Sequence, residues 1–180
     1  MKKSILRRAR WLALLLLIAG NRELQSAVPS SGELKKWHNI ALTFDGPEAS
    51  ESSLPNPFRD FRLNVTFTHA EKKKVHMVPG YFAADGNAAE TSASSGRKWR
   101  VHFVPDETGE WHYQASFRTG PDVAISLDAS AGKPNAFDGT QGTFTVGASD
   151  KRKPDFRARG GLRYVGQHYL QFAETREYFL

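Results

Sequence analysis

The stretch 99–118, WRVHFVPDETGEWHYQASFR, constrains the fold of this 180-residue chain more than any other. Trp99, Val101 and Phe103 alternate with Arg100 and His102. Further on, Trp111, Tyr113, Ala115 and Phe117 alternate with His112, Gln114, Ser116 and Arg118. A period of two puts the aromatic rings on one face and the polar groups on the other. Between the arms, Pro105 presets φ and Gly109 can take a left-handed conformation. The pattern predicts a β-hairpin with Phe103 opposite Trp111 and Val101 opposite Tyr113, each pair worth about 0.2–1 kcal/mol. A face this apolar requires a second layer to cover it.

The rest of the chain supplies candidates for that layer. Ile40, Leu42 and Phe44 alternate in a first strand over 35–44, which Asp45-Gly46-Pro47 should stop. Prolines 55 and 57 stiffen the loop that follows. FRLNVTFTH (61–69) is the cleanest strand after the 99–118 stretch, with Phe61, Leu63, Val65 and Phe67 facing one way. Residues 74–82 read as a strand broken at Pro79-Gly80, which implies an edge or a bulge. Asp85-Gly86-Asn87 is a turn, and 88–96 a mobile loop. Short strands are expected at 123–127, 142–146 and 156–160, and a small hairpin over 162–172 around Gly166. Strands this short and numerous predict an all-β protein, a sandwich of about 7–9 antiparallel strands that buries Trp37 or its neighbours; an irregular barrel is the alternative.

The N-terminus reads differently. A basic head, MKKSILRRAR, precedes the apolar run WLALLLLIAG, as in an export signal. The run is shorter than the about 20 residues of a membrane span; an uncleaved anchor is the alternative. Processing near Ala27 divides the chain into a signal (1–27), a linker (28–34), the sandwich (35–159) and a linker or first element of a further domain (160–180). The formal charge of +6 is concentrated in the signal. Residues 1–27 carry six basic side chains and one acidic one, which leaves the remainder at +1. Lys72-Lys73-Lys74 and Lys151-Arg152-Lys153 read as solvated turns, so no nucleic-acid footprint is expected. The chain has no cysteine, so an exported domain of this length must be stabilised by its core.

Few residues suggest chemistry. In the expected hairpin register His102 and His112 face each other, but a zinc site would need a third ligand, and a solvated pair is the simpler reading. Asp106, Glu107 and Glu110 lie in a turn, where charge is ordinary. Glu174 and Glu177 would share a face only on a helix, which the alternation there opposes. Asn64-Val65-Thr66 matches a glycosylation triplet on the outer face of a strand. There is no serine elbow, phosphate loop or dinucleotide fingerprint. The expectation is therefore no catalytic residue, no cofactor and no metal. Tyr81, Phe82 and Asp85, beside a glycine turn, are the candidates for contact with carbohydrate, because exposed rings stack on the apolar faces of sugars.

Several motifs taken together carry a resemblance. Asn56-Pro57-Phe58 with FRLNVTF, then Pro79-Gly80-Tyr81-Phe82 with Asp85-Gly86, then WRVHFVP, then Thr108-Gly109-Glu110-Trp111-His112-Tyr113 resemble DUF5060, the N-terminal β-sandwich of multidomain glycoside hydrolase-like proteins. Ala83 and Ala84 are inserted before Asp85, and His102 stands where that pattern has arginine. Residues 155–180 resemble the passage from such a sandwich into a (β/α)-barrel. The resemblance implies an immunoglobulin-like accessory domain, secreted, periplasmic or at the cell surface. Its partner would be a catalytic barrel lying beyond Leu180, its substrate a polysaccharide, and its only membrane contact an uncleaved signal. A stand-alone carbohydrate-binding or adhesion module is the alternative; a small enzyme in its own right is the third reading.

Overall fold

The computed structural model describes residues 30–179; the expected signal at 1–27 lies outside the described residues. Strands β1 (Ser30–Gly32), β2 (Ile40–Ser50), β3 (Phe61–His69), β4 (Val75–Pro79) and β5 (Tyr81–Phe82) lead to one helical turn, α1 (Ala88–Thr91). Then come β6 (Ser95–Phe103), β7 (Gly109–Thr119), β8 (Lys133–Pro134) and β9 (Gln141–Val146), followed by β10 (Leu162–Tyr164), β11 (Leu170–Phe172) and β12 (Tyr178–Phe179). One sheet has the order β1-β2-β6-β5. The second has the order β4-β3-β7-β8, with β9 also on β7. The two form an all-β sandwich of antiparallel pairs.

The apolar face of 99–118 is the centre of the core, but the stretch is not a hairpin. β6 pairs with β2 and β5, while β7 pairs with β3, β8 and β9. The segment 104–108 carries the chain from one layer to the other. Phe103 and Trp111 still meet, with ring centroids 5.1 Å apart, but across the layers rather than along a ladder. Trp99 meets Phe117 at 4.7 Å in the same way, and Phe103 stacks on Phe67 at 4.0 Å. A hairpin would have laid both aromatic faces on one side of a single ribbon. Crossing between layers lets each face cover the other. Pro105 at the crossing is fully buried, and its carbonyl accepts the Trp37 N–H at 2.8 Å. Each buried aromatic pair adds about 0.5–1.5 kcal/mol beyond its area.

Other expectations fare unevenly. β3 has its predicted bounds and strict inward alternation. β2 begins at Ile40 and is not stopped by Asp45-Gly46-Pro47; its register breaks between Asp45 and Ala49 and then resumes. A bulge accommodates a proline, which has no N–H to give a ladder. β4 is an edge strand, as Pro79 implied, and Gly80 then passes the chain into the other sheet. The segment 88–96 holds α1 and the start of β6.

Residues 123–127 are no strand: Val123–Ile125 is a 3-10 turn with Val123 buried and Ile125 and Leu127 in solvent. The Arg62 side chain takes the Val123 and Ser126 carbonyls, so these are not offered to a ladder. Phe156–Ala158 is likewise a 3-10 turn, because the Asp155 side chain accepts from the Arg157 N–H and caps it. The hairpin around Gly166 forms as predicted, with Leu162 opposite Phe172, and β12 adds a third strand. Trp37 is outside the sandwich core. It has φ 65° and turns its indole to the C-terminal sheet, where Nε1 donates to Glu174 at 2.9 Å.

Candidate functional site

Three places hold side chains whose arrangement goes beyond what the core requires. The first is a groove at the open edge where β4 hands over to β5. Consecutive strand residues face opposite ways. Phe82 therefore points inward and is buried against Trp99 at 5.2 Å, whereas Tyr81 is 44% exposed. Phe82 is thus the floor of this place rather than part of its rim, a correction to the sequence reading. The Tyr81 ring lies parallel to His102 at 5.8 Å, and its hydroxyl is 3.0 Å from His102 Nε2. On the other side of that imidazole, the Asn39 amide nitrogen lies 2.9 Å from Nδ1. An amide nitrogen only donates, so Nδ1 accepts and Nε2–H donates to the tyrosine oxygen. The phenolic proton is then not used in this chain of bonds.

Asp85 does not reach the groove as a free carboxylate. It accepts from the Thr91 hydroxyl at 2.6 Å and the Asn87 N–H at 2.7 Å, and these bonds hold it below the usual carboxylate range. Its work is to fix α1. The residue that the sequence reading missed is Phe58, 56% exposed and edge-on to Phe82 at 6.2 Å. Two clefts of about 310 and 270 Å³ open on either side of it, and both are lined by Phe58, Tyr81 and Phe82. The available signal was an aromatic between two turn formers, Pro57 and Asp60, outside any alternation.

The second place is the sheet β10-β11-β12. Leu162, Tyr164, Leu170, Phe172 and Phe179 share one face by register. Phe156 stacks on Phe172 at 5.7 Å and Arg159 lies over the same ring, so Phe172 is buried. Leu162, Tyr164, Leu170 and Phe179 remain exposed. The sheet is tied to the sandwich through Glu174, which accepts from Trp37 and pairs with Lys36, and through the Lys153–Glu177 pair. Gly160 and Gly161 let the indole approach: a Cβ on either would lie 2.9 Å from its nearest neighbour, Glu174 or Trp37.

The third place is charged. Asp106 and Glu107 take Lys74 at 2.8 and 3.1 Å, and Glu107 also takes Lys72 at 2.5 Å. These ammonium groups hold the Glu107 carboxyl at about 2. Glu110 lies 3.1 Å from His112. His102 and His112 do not face each other as the hairpin register implied. They sit on the outer faces of opposite sheets, because β6 and β7 are in different layers. Glu33, buried His38 and Asp150 come together, but the Lys35 ammonium already bridges Glu33 and Asp150 at 2.9 and 2.7 Å. The imidazole also turns its two nitrogens to different carboxylates. This is an ion-pair network with the cation position filled by lysine. Asn64 lies on the central strand β3.

Residues 33–118 match the family described as Domain of unknown function (DUF5060). No curated protein matches the chain. Among solved structures, a candidate glycoside hydrolase from Bacteroides vulgatus is similar at 25% identity with a TM-score of 0.49, over 79% of this chain and 20% of the other. The chain thus spans about one fifth of that protein's length.

Proposed function

We propose that this chain, whose residues 33–118 carry a DUF5060 domain, is a non-catalytic accessory domain of an exported polysaccharide-degrading protein, bracing or shaping the substrate cleft of a catalytic (β/α)-barrel. The observation that carries the reading is the half-covered apolar face of the β10-β11-β12 sheet, with Leu162, Tyr164, Leu170 and Phe179 in solvent. Such a face is an interaction surface. Anchored through Trp37 and Glu174, it is presented as a fixed platform for a neighbouring domain. The carboxylates agree with a packing role. Glu107, Asp150 and Asp155 are each held at about 2 by cationic partners. A general acid needs the opposite, a carboxyl kept protonated. The motif resemblance supports the glycoside hydrolase context, and the basic N-terminal head with its apolar run supports export.

Bracing has more support than wall-forming for the Tyr81 region. The apolar sheet adjoins the 104–108 crossing, whereas the clefts at Phe58 lie beside the start of β3. From Asn64, where the second cleft ends on β3, to His69 at the crossing end is about 17 Å at the usual rise. The test is titration of the full chain with the barrel of its parent protein in a calorimeter. The reading expects saturable binding that Tyr164→Asp with Leu170→Asp abolishes. Binding that survives both changes would remove the sheet from the account. A stand-alone carbohydrate-binding module is the second reading, favoured by the exposed rings of Phe58 and Tyr81.

A further inference from the structure

We infer that the two clefts flanking Phe58 form one groove for a neutral glycan chain, with Phe58 and Tyr81 as its stacking platforms and Asn64, Asn87 and Glu51 as its hydroxyl partners. The inference rests on the polysaccharide context proposed above. It assigns binding to an edge of the sandwich remote from the barrel-facing sheet.

Phe58 is costly where it stands. More than half of its surface is in water, and among the described residues its one ring contact is the edge of Phe82. The loop nevertheless holds it in place. The Phe58 N–H donates to Asn56 Oδ1 at 2.9 Å, and the Asn56 N–H donates to Asp60 Oδ2 at 2.8 Å. Asp60 is itself buried, and its other oxygen accepts from the Asp122 N–H at 3.1 Å. A loop backbone held in this way has little further freedom to lose on binding. Tyr81 is held by the Asn39–His102 chain, which leaves its hydroxyl proton unused.

The polar lining fits hydroxyls better than charged groups. The first cleft holds Glu51, Asn87 and Arg100; the second holds Asn64 and Arg62. Both guanidinium groups are engaged: Arg100 bonds Thr43 and the Gly86 carbonyl, and Arg62 bonds five loop carbonyls. Among the described residues, no group bonds the side-chain amides of Asn64 and Asn87 or the carboxylate of Glu51. A pyranose has this same division. Its axial C–H faces are apolar and its equatorial hydroxyls give and take hydrogen bonds. Clefts of 310 and 270 Å³ lie near the lower bound of small-ligand sites. They are adjacent, with a ring between them, which suits successive sugars of one chain.

Affinity electrophoresis of the full chain tests this, in gels containing arabinoxylan, galactomannan, laminarin or hydroxyethyl-cellulose, with polygalacturonate as an anionic probe. The expected result is retardation in at least one neutral gel. Phe58→Ala should weaken it at least tenfold, Phe58→Trp should retain it, and Leu127→Ala, outside the groove, should leave it unchanged. Matching circular dichroism spectra of the variants will establish that the fold is kept. No retardation in any neutral gel, retardation by polygalacturonate alone, or retardation indifferent to Phe58→Ala overturns the inference. None of these outcomes bears on barrel binding by the β10-β11-β12 sheet, which the calorimetric titration reads separately.

Discussion

Arg62 and Arg118 lie directly opposite each other on β3 and β7, and both send their guanidinium groups into the same loop. Like charges in register repel, yet here each is satisfied. Arg62 donates to the carbonyls of Val123, Ser126, Asp128, Ala129 and Ala131, and Arg118 to those of Ser130, Ala131 and Gly132. A loop without a ladder of its own is organised around two planar cations. Arg62→Ala should cost about 2–3 kcal/mol in denaturant unfolding, since bonds to charged donors are the stronger class. Arg62→Lys should recover little, because one ammonium cannot fork to so many acceptors. The double variant with Arg118→Ala should fall short of additive.

Gly46 and Trp99 make a steric prediction. A Cβ at position 46 would lie 2.5 Å from Trp99 Cδ1 and 2.6 Å from Nε1. The indole is almost wholly buried and cannot withdraw. Gly46→Ala should destabilise by about 1–3 kcal/mol, read by thermal unfolding, with a change in tryptophan emission. Retention of both wild-type values would mean that the β2 bulge gives way freely.

The Glu107 ion pairs set a pH dependence. The carboxyl titrates at about 2 in the fold, below its ordinary 4.5, first because of the hydrogen bond from Lys72 and then that from Lys74. A folded pKa below the unfolded one stabilises at pH above the unfolded value. That contribution fades as pH falls through 4.5 toward about 2. Asp150 and Asp155 titrate in the same range. Glu107→Gln should therefore flatten, without abolishing, the loss of stability on acidification, followed by denaturant midpoints across that window.

Trp37 should act as a pin. Removing the Trp37–Glu174 bond by Trp37→Ala should speed hydrogen exchange over 160–179 and leave β3 and β7 protected, because the sandwich core does not include the indole. Exchange that rises equally in both regions would show that the sheet and the sandwich unfold as one unit.

Much of the fold is legible in the residues, for identifiable reasons. Alternation in 61–69 and 99–118 reports which side chains face inward, and those are buried. It does not report which layer a strand joins: the same pattern serves a hairpin or a crossing. The choice between them is made by the buried Pro105 and its bond to Trp37, a contact distant in sequence. Alternation also misleads at 123–127, where Arg62 from the distant strand β3 takes the carbonyls of Val123 and Ser126 and a turn forms in place of a strand. At the groove, Tyr81 was readable as a rim residue, but its neighbour Phe82 could not face the same way on one strand. Phe58 lies outside any period, and its exposure depends on tertiary bonds through Asp60.

The claim on which the functional account turns is that the face of β10-β11-β12 is a docking platform. Hydrogen exchange of the full chain, with and without the (β/α)-barrel proposed as its partner, measures this most directly. The account predicts slowed exchange in 162–172 and 178–179 on adding the barrel, with the Phe58 loop unchanged. Unchanged exchange in that sheet, or protection appearing at the Phe58 groove in its place, would contradict it.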